Sequence, residues 1–193
     1  MNKINAKIIK NFISQDEIRS LNKWTLLNYT NEYFYDANMD LFHERTRLTT
    51  RLANEVDYKK IGLEINYPQE SYNIRKRIIE TFGLQSYKSP NSFYDGIVNG
   101  IGFENGSICH HIDPIYYDGT ETLHCNIITQ KPLSGGITII NDYEFDAEEG
   151  DLLCYVVSKH YHEVTKIVGP KERILWVFGF CIDDNKIEQI FGH

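Results

Sequence analysis

Two apolar rhythms run along the chain. Up to about residue 91, apolar side chains recur at helical spacing. Beyond that they come in short runs broken by Gly and Asp. Ser14, followed three residues later by Glu17, forms a capping box, and Ile13 and Ile18 flank it as a hydrophobic staple. Ile18, Leu21, Trp24 and Leu27 then give a loosely periodic face, which predicts a first helix. A second is predicted from Pro68: Ile74, Ile78 and Phe82 recur every four residues with Ile79 alongside, and Gly83 is a natural C-cap. Residues 29–67 carry no period that assigns them.

From Ser92 the apolar runs are short: roughly 93–103, 107–113, 122–129, 136–140, 151–157, 161–168 and 172–182. Breaks fall at Gly106, Asp118-Gly119, Gly135-Gly136, Glu149-Gly150 and Gly169-Pro170. Short strands at regular spacing predict a sandwich or barrel. A jelly roll, or double-stranded β-helix, closes two sheets around an interior able to hold a ligand. The expected fold is thus mainly β with N-terminal helices. One domain spans 1–193, with a helical support (1–91) packed on one outer face of a jelly-roll core (92–193). Residues 141–150, with five Asp or Glu, read as a solvated loop.

Composition adds limits. A chain of 193 residues suits one domain with an enclosed site. Hydrophobic residues at 41% and charged residues at 24% are ordinary for a soluble globular protein. A formal charge of −7 argues against general affinity for nucleic acid or an anionic membrane. The nearest thing to a basic patch is Arg45, Arg47 and Arg51. No apolar run approaches the roughly 20 residues needed to cross a bilayer, and no signal peptide is read at the N-terminus. Cys109, Cys125, Cys154 and Cys181 form no CxxC pair and read as buried free thiols. The expected location is cytoplasmic, a reducing compartment.

The chemistry centres on His111-Ile112-Asp113. Strand side chains alternate, so residues two apart share a face, and an imidazole and a carboxylate point together. A second histidine from a distant strand would complete a two-histidine, one-carboxylate face with about three coordination positions open. Alone, such a pair is commonplace. Here Gly106-Ser107 precedes it, Pro114 follows, and His160-Tyr161-His162-Glu163-Val164 comes some fifty residues later. Arg173 lies eleven residues after His162, on a strand where it shares a face with Leu175 and Val177. An inward arginine needs a partner. A bound dicarboxylate would supply one through a bidentate pair, as would a surface Asp or Glu.

At these residues the sequence resembles the 2-oxoglutarate/iron(II) dioxygenases, particularly the prolyl-4-hydroxylase-like branch. Ile8-Ile9-Lys10-Asn11-Phe12-Ile13-Ser14-Gln15-Asp16-Glu17 is similar to that family's opening strand and first helix. Phe103-Glu104-Asn105-Gly106 resembles its turn before HxD, Gly135-Gly136-Ile137-Thr138 its double-glycine strand, and Glu149-Gly150-Asp151-Leu152-Leu153 its Gly-Asp strand. His162-Glu163-Val164 through Gly169 to Arg173 and Trp176 resembles the C-terminal signature.

The resemblance implies that His111, Asp113 and His162 hold Fe(II) and that Arg173 binds the distal carboxylate of 2-oxoglutarate. It implies that O2 and 2-oxoglutarate become succinate and carbon dioxide while a substrate C–H is oxidised. A carboxylate at Asp113 points to hydroxylation or another oxidation rather than the halogenation of relatives with a small residue there. Phe103 departs from the family's usual tyrosine, which removes a phenol that could hold 2-oxoglutarate. Asn126, His124 and Asn99 are candidate substitutes. The spacing from that turn to HxD is also about one residue short. Of the duplicated histidines, His110 lacks a carboxylate two residues on. His160 would share a strand face with His162, and the spacing to Arg173 favours His162. Gly179 stands where the nucleic-acid dealkylases carry a second arginine. The expected substrate is therefore a small amino acid, metabolite or peptide residue. An oxygenase acting on a protein partner, and a non-catalytic metal-binding cupin-like domain, remain open readings. The loop Pro114–Asp118 and the arginine cluster are candidate rims of the site.

Overall fold

The computed structural model describes residues 4–31, 34–36, 46–50, 65–84, 96–115 and 119–192. In chain order these form β1 (Ala6–Ile9), α1 (Gln15–Asn28), β2 (Phe34–Asp36), β3 (Arg47–Thr50), α2 (Gln69–Phe82), β4 (Ile97–Gly102), β5 (Ile108–His111) and β6 (Glu121–Gln130). Then come β7 (Thr138–Ile140), β8 (Tyr143–Phe145), β9 (Leu152–Val156), β10 (His162–Val164), β11 (Arg173–Ile182) and α3 (Asp184–Phe191). The strands make two antiparallel sheets. One has seven strands in the order β1-β9-β6-β11-β4-β3-β2; the other has four, β5-β10-β7-β8.

Strand alternation sorts the large sheet into two faces. Its outer face carries Leu123, Cys125, Ile127, Ile174, Trp176 and Phe178, which pack with Ile18 and Leu21 of α1 and Ile74 and Ile78 of α2. Trp176 is fully buried there, edge-on to Trp24 and Tyr67 at centroid distances of 5.5 and 5.6 Å. The inner face meets the small sheet through Ile128, Leu153, Tyr155 and Leu175, which pack with Ile140 and Phe145. Both expected helices therefore cover one outer sheet face, and the interior between the sheets is left for a site.

The helix ends follow the sequence signals. Ser14 and Glu17 form the reciprocal capping box, a device that stabilises a helix start by about 1 kcal/mol. Gly83 closes α2 in the left-handed region at φ 58°. Leu27, expected on the buried face of α1, is 69% exposed. It lies nine residues beyond Ile18, which at about 100° per residue is half a turn away from it. Thr25, fully buried, takes that place, its hydroxyl bonded to the Leu21 carbonyl.

Three further findings depart from the sequence reading. The segment before residue 92 is not only helical: β1, β2 and β3 join the large sheet. The acidic stretch 141–150 is not all loop, since Tyr143–Phe145 pairs with β7 through a two-residue turn at Asn141-Asp142, both at positive φ. A short helix, α3, ends the described chain, capped by Asp183 on the Lys186 N–H. Arg45, Arg51 and Tyr116–Asp118 lie outside the described residues. No described helix is long and apolar enough to cross a membrane. Cys125, Cys154 and Cys181 are buried free thiols as expected, whereas Cys109, expected buried, is exposed at the edge strand β5.

Candidate active site

His111 ends β5, His162 begins β10, and the two pair directly across these antiparallel strands. Their rings sit 4.2 Å apart, centroid to centroid. Asp113 follows β5, with its N–H donating to the Val157 carbonyl at 3.1 Å. One carboxylate oxygen stands 3.4 Å from His111 Nε2. One donor atom from each of the three residues lies within 4.8 Å of the other two. Three ligands at about 2.1 Å and right angles around one ion stand roughly 3 Å apart, so a small inward adjustment closes this face on a metal.

Each imidazole is already oriented for that task. His111 Nδ1 is bonded to the Cys109 carbonyl at 2.7 Å, and His162 Nδ1 to the His160 carbonyl at 3.1 Å. A ring nitrogen facing a carbonyl must carry the proton, which leaves Nε2 as the lone-pair donor in both rings. The electrostatics agree. The hydrogen bond to Asp113 raises His111. Burial would raise the Asp113 carboxyl, but the His111 hydrogen bond and the surrounding imidazoles outweigh it and hold it below its ordinary value. Burial lowers His162, which favours its neutral form.

Arg173 opens β11 at the other end of the same interior. It is 6% exposed, and its Nε donates to the Gly136 carbonyl at 2.9 Å. Burial pulls its guanidinium down to about 10. It lines a cavity with Leu175, Val177, Ile108 and Val164, the latter two from the strands that carry His111 and His162. The double glycine makes the room. At Gly136, φ is +67° and an added Cβ would sit 2.9 Å from Arg173 Cδ; at Gly135 it would strike the Lys166 carbonyl oxygen.

The suggested helpers divide by face. Asn126 and His124 are on the inner face of β6, opposite Val177 and Gly179 of β11. His124 Nε2 is 3.9 Å from Asp113, and burial drops its pKa to about 4, so it is neutral. Asn126 Nδ2 reaches the Tyr155 hydroxyl at 3.4 Å, while its Oδ1 is buried without a partner. Asn99 alternates to the outer face, opposite Trp176, and donates to the Leu175 carbonyl at 3.1 Å, so it is not at the cavity. Phe103 packs outward on Tyr29.

His160 is engaged elsewhere. The strand expected from residue 161 starts only at His162, so His160 sits in the preceding turn rather than on a shared strand face. It is 5% exposed; its Nε2 accepts from the Asn5 N–H at 2.9 Å, and its Nδ1 meets the Asn141 side chain at 2.8 Å. Both ring nitrogens are engaged, and the ring fastens the start of β1 to the β7–β8 turn.

One site residue escaped the sequence reading. Tyr155 of β9 is 4% exposed, its ring 5.3 Å from His162 and 6.3 Å from His124. Burial and the nearby charge of Asp113 push its phenol well above its ordinary value. It places a neutral hydroxyl in the interior that Phe103 does not supply. In the sequence it hides inside the apolar run Leu152–Val157; only its alternation with Leu153 and Val157 marks it as inward.

Fold and constellation together define a class: a double-stranded β-helix carrying two histidines and one carboxylate on a face between its sheets. Solved structures share this fold. A viral collagen prolyl hydroxylase from Paramecium bursaria Chlorella virus-1, in complex with 2-oxoglutarate, superposes with a TM-score of 0.62 at 11% identity, over 91% of this chain and 94% of that one. A prolyl hydroxylase from Trichoplax adhaerens, in complex with a hypoxia inducible factor peptide fragment, gives 0.61 at 16% identity, over 96% and 87%. HygX from Streptomyces hygroscopicus, with nickel and 2-oxoglutarate bound, gives 0.57 at 9% identity, over 95% and 84%. No family model and no curated protein sequence matches the chain.

Proposed function

We propose that this chain is a single-domain Fe(II)- and 2-oxoglutarate-dependent dioxygenase that hydroxylates a C–H of a small amino acid, metabolite or peptide residue. The observation that carries it is the pairing of the His111, Asp113 and His162 donors with a buried Arg173 at the far end of one interior. A metal-binding domain without catalysis would not need that guanidinium.

In this reading His111 Nε2, His162 Nε2 and one Asp113 oxygen hold the metal. Arg173 takes the distal carboxylate of 2-oxoglutarate through its terminal nitrogens, with Nε tied to Gly136 to fix its aim. The Tyr155 hydroxyl, the Asn126 amide and neutral His124 orient the end of the co-substrate nearest the metal. Apolar Ile108, Val164 and Val177 keep water from the reacting atoms. The bound iron and 2-oxoglutarate would supply the oxidising chemistry, with O2 consumed and succinate and carbon dioxide released. The Trichoplax adhaerens structure, with its bound peptide fragment, supports a peptide residue as one of these substrate classes.

The test is succinate release from 2-oxoglutarate with Fe(II), against a panel of amino acids and peptides. Metal-dependent succinate, stimulated by some members of the panel, is expected. No succinate under any condition, together with no binding of 2-oxoglutarate, would remove the proposal.

A further inference from the structure

Three glycines line the cavity: Gly100 and Gly102 of β4, and Gly106 beyond it. Two are explained by the protein's own atoms. A Cβ at Gly102 would lie 2.6 Å from Ile167 Cδ1, and one at Gly106 would lie 2.5 Å from the Thr46 carbonyl oxygen. Gly100 has no such reason. It pairs with Thr49 of β3 and Leu175 of β11 without a bulge, and its φ is outside the left-handed region. Among the described residues, the heavy atom nearest to an added Cβ is Thr49 Cγ2 at 3.5 Å, an ordinary van der Waals contact. Alanine would therefore fit, and inside a strand it is the more stable choice. A strand glycine that neither backbone nor packing requires marks a place where a ligand comes close.

The two ends of the cavity differ. Gly102 stands between Arg47 and Arg173 in register, and Thr46 and Ser107 lie near Gly106, so that end is polar. Around Gly100 the wall is Val98, Leu175 and Val177, with buried Thr49 beside them. Val177 pairs with Asn126 of β6, so this apolar end is level with the residues placed nearest the metal. In that placement 2-oxoglutarate leaves the wall uncovered. Reaching from Arg173 toward Asn126, His124 and Tyr155, it crosses from β11 to β6 and β9. Gly100 and Val98 are on β4, on the other side of β11, two strand spacings or about 10 Å from β6. A charged group against Val98, Leu175 and Val177 would lose its hydration without replacement. The room left by one missing side chain is small, so the group that fits is a compact aliphatic one.

We propose that Gly100 sets the size of the primary substrate: the aliphatic side chain of an amino acid, free or within a peptide, packs against it. This rests on the reading of the cavity as an iron and 2-oxoglutarate site, and it narrows the substrate class within it. Acidic side chains are excluded, since this wall offers a charge no partner, and aromatic ones exceed the room.

The test is calorimetric, on the full chain loaded with manganese(II) in place of iron and with 2-oxoglutarate. Alanine, valine, leucine, isoleucine, phenylalanine and aspartate are titrated, each as the free amino acid and as its N-acetyl amide. Valine, leucine or isoleucine is expected to bind the wild type, in one form or both, more tightly than phenylalanine or aspartate. Gly100→Ala should weaken the best of them by roughly 10- to 200-fold, the effect of one added methyl group in an apolar pocket, and should weaken alanine less. Its affinity for 2-oxoglutarate should equal that of the wild type, and its urea midpoint should be the same or higher. Unchanged binding of the best aliphatic probe in Gly100→Ala would overturn the proposal. So would phenylalanine or aspartate binding as tightly, or no aliphatic probe binding to the wild type. A fall in 2-oxoglutarate affinity in Gly100→Ala would overturn it by assigning Gly100 to the co-substrate. A lower urea midpoint would do so by showing that the fold itself needs the glycine. Failure of the underlying reading looks different: 2-oxoglutarate would then not bind the wild type, or would bind Arg173→Ala equally well.

Discussion

An imidazole becomes a metal ligand when its second nitrogen is fixed. His162 has that arrangement, with Nδ1 on a carbonyl and Nε2 turned toward Asp113 and His111. His160 does not, because both its nitrogens are spent on Asn5 and Asn141. His162→Ala should therefore lose metal affinity while the fold survives. His160→Ala should keep the metal and lower stability, by the roughly 1–3 kcal/mol that leaving buried polar groups unpaired costs. Metal titration and urea denaturation of both variants check this, and metal lost with His160 alone would reverse the assignment. Tyr155 gives a second residue-scale prediction. Tyr155→Phe removes one hydroxyl and little volume. It should weaken 2-oxoglutarate by about 0.5–1.5 kcal/mol, roughly 2- to 13-fold, with metal affinity unchanged. An unaltered 2-oxoglutarate constant would make Tyr155 a packing residue only.

At the scale of elements, β1 and β9 are joined by one buried carboxylate. Asp151 accepts from Lys10 Nζ at 2.8 Å and from the Asn11 and Glu148 N–H groups at 2.9 Å each. Burial alone would raise its pKa; these bonds and the Lys10 charge outweigh it and lower it. A carboxylate lowered in the folded state contributes stability that is complete above its unfolded value, about 3.9. That contribution is lost as pH falls through the lower folded value. Asp151→Asn should thus destabilise by about 1.5–3 kcal/mol at pH 7, and the gap to wild type should close in strong acid. Urea midpoints across pH measure it; a gap that persists in acid would show that charge is not the cause. The Gly-Asp signature thus has a structural use, which the sequence displays without stating. The long strands were legible because β11 is apolar or glycine from Ile174 to Ile182, and because Leu123, Cys125 and Ile127 alternate along β6. β8 was not, because its exposed strand reads Tyr143-Glu144-Phe145 within an acidic stretch, and its pairing depends on the turn at Asn141-Asp142. Only the eight residues of α3 were available to announce a helix, too few for a period. The cluster of His111, Asp113 and His162 was legible because holding a metal would need fixed spacings. Tyr155 was not, since its place in the interior comes from strand register across a sheet.

On the scale of the whole molecule, helices seal one face of a large sheet so that its other face, roofed by a small sheet, can bury charge. Arg173 sits in that interior with its Nε bonded to the Gly136 carbonyl, and an anionic ligand would offset the remaining cost of burying its charge. The most direct test is a calorimetric titration of 2-oxoglutarate into the protein with and without manganese(II), repeated on Asp113→Ala and Arg173→Ala. Metal-dependent binding is expected in the wild type. Asp113→Ala should lose the metal and 2-oxoglutarate together. Arg173→Ala should keep the metal and bind 2-oxoglutarate about 1.5–3 kcal/mol more weakly, roughly 10- to 150-fold. Binding of 2-oxoglutarate that needs neither metal nor Arg173, or no binding at all, would contradict an oxygenase site between these two sheets.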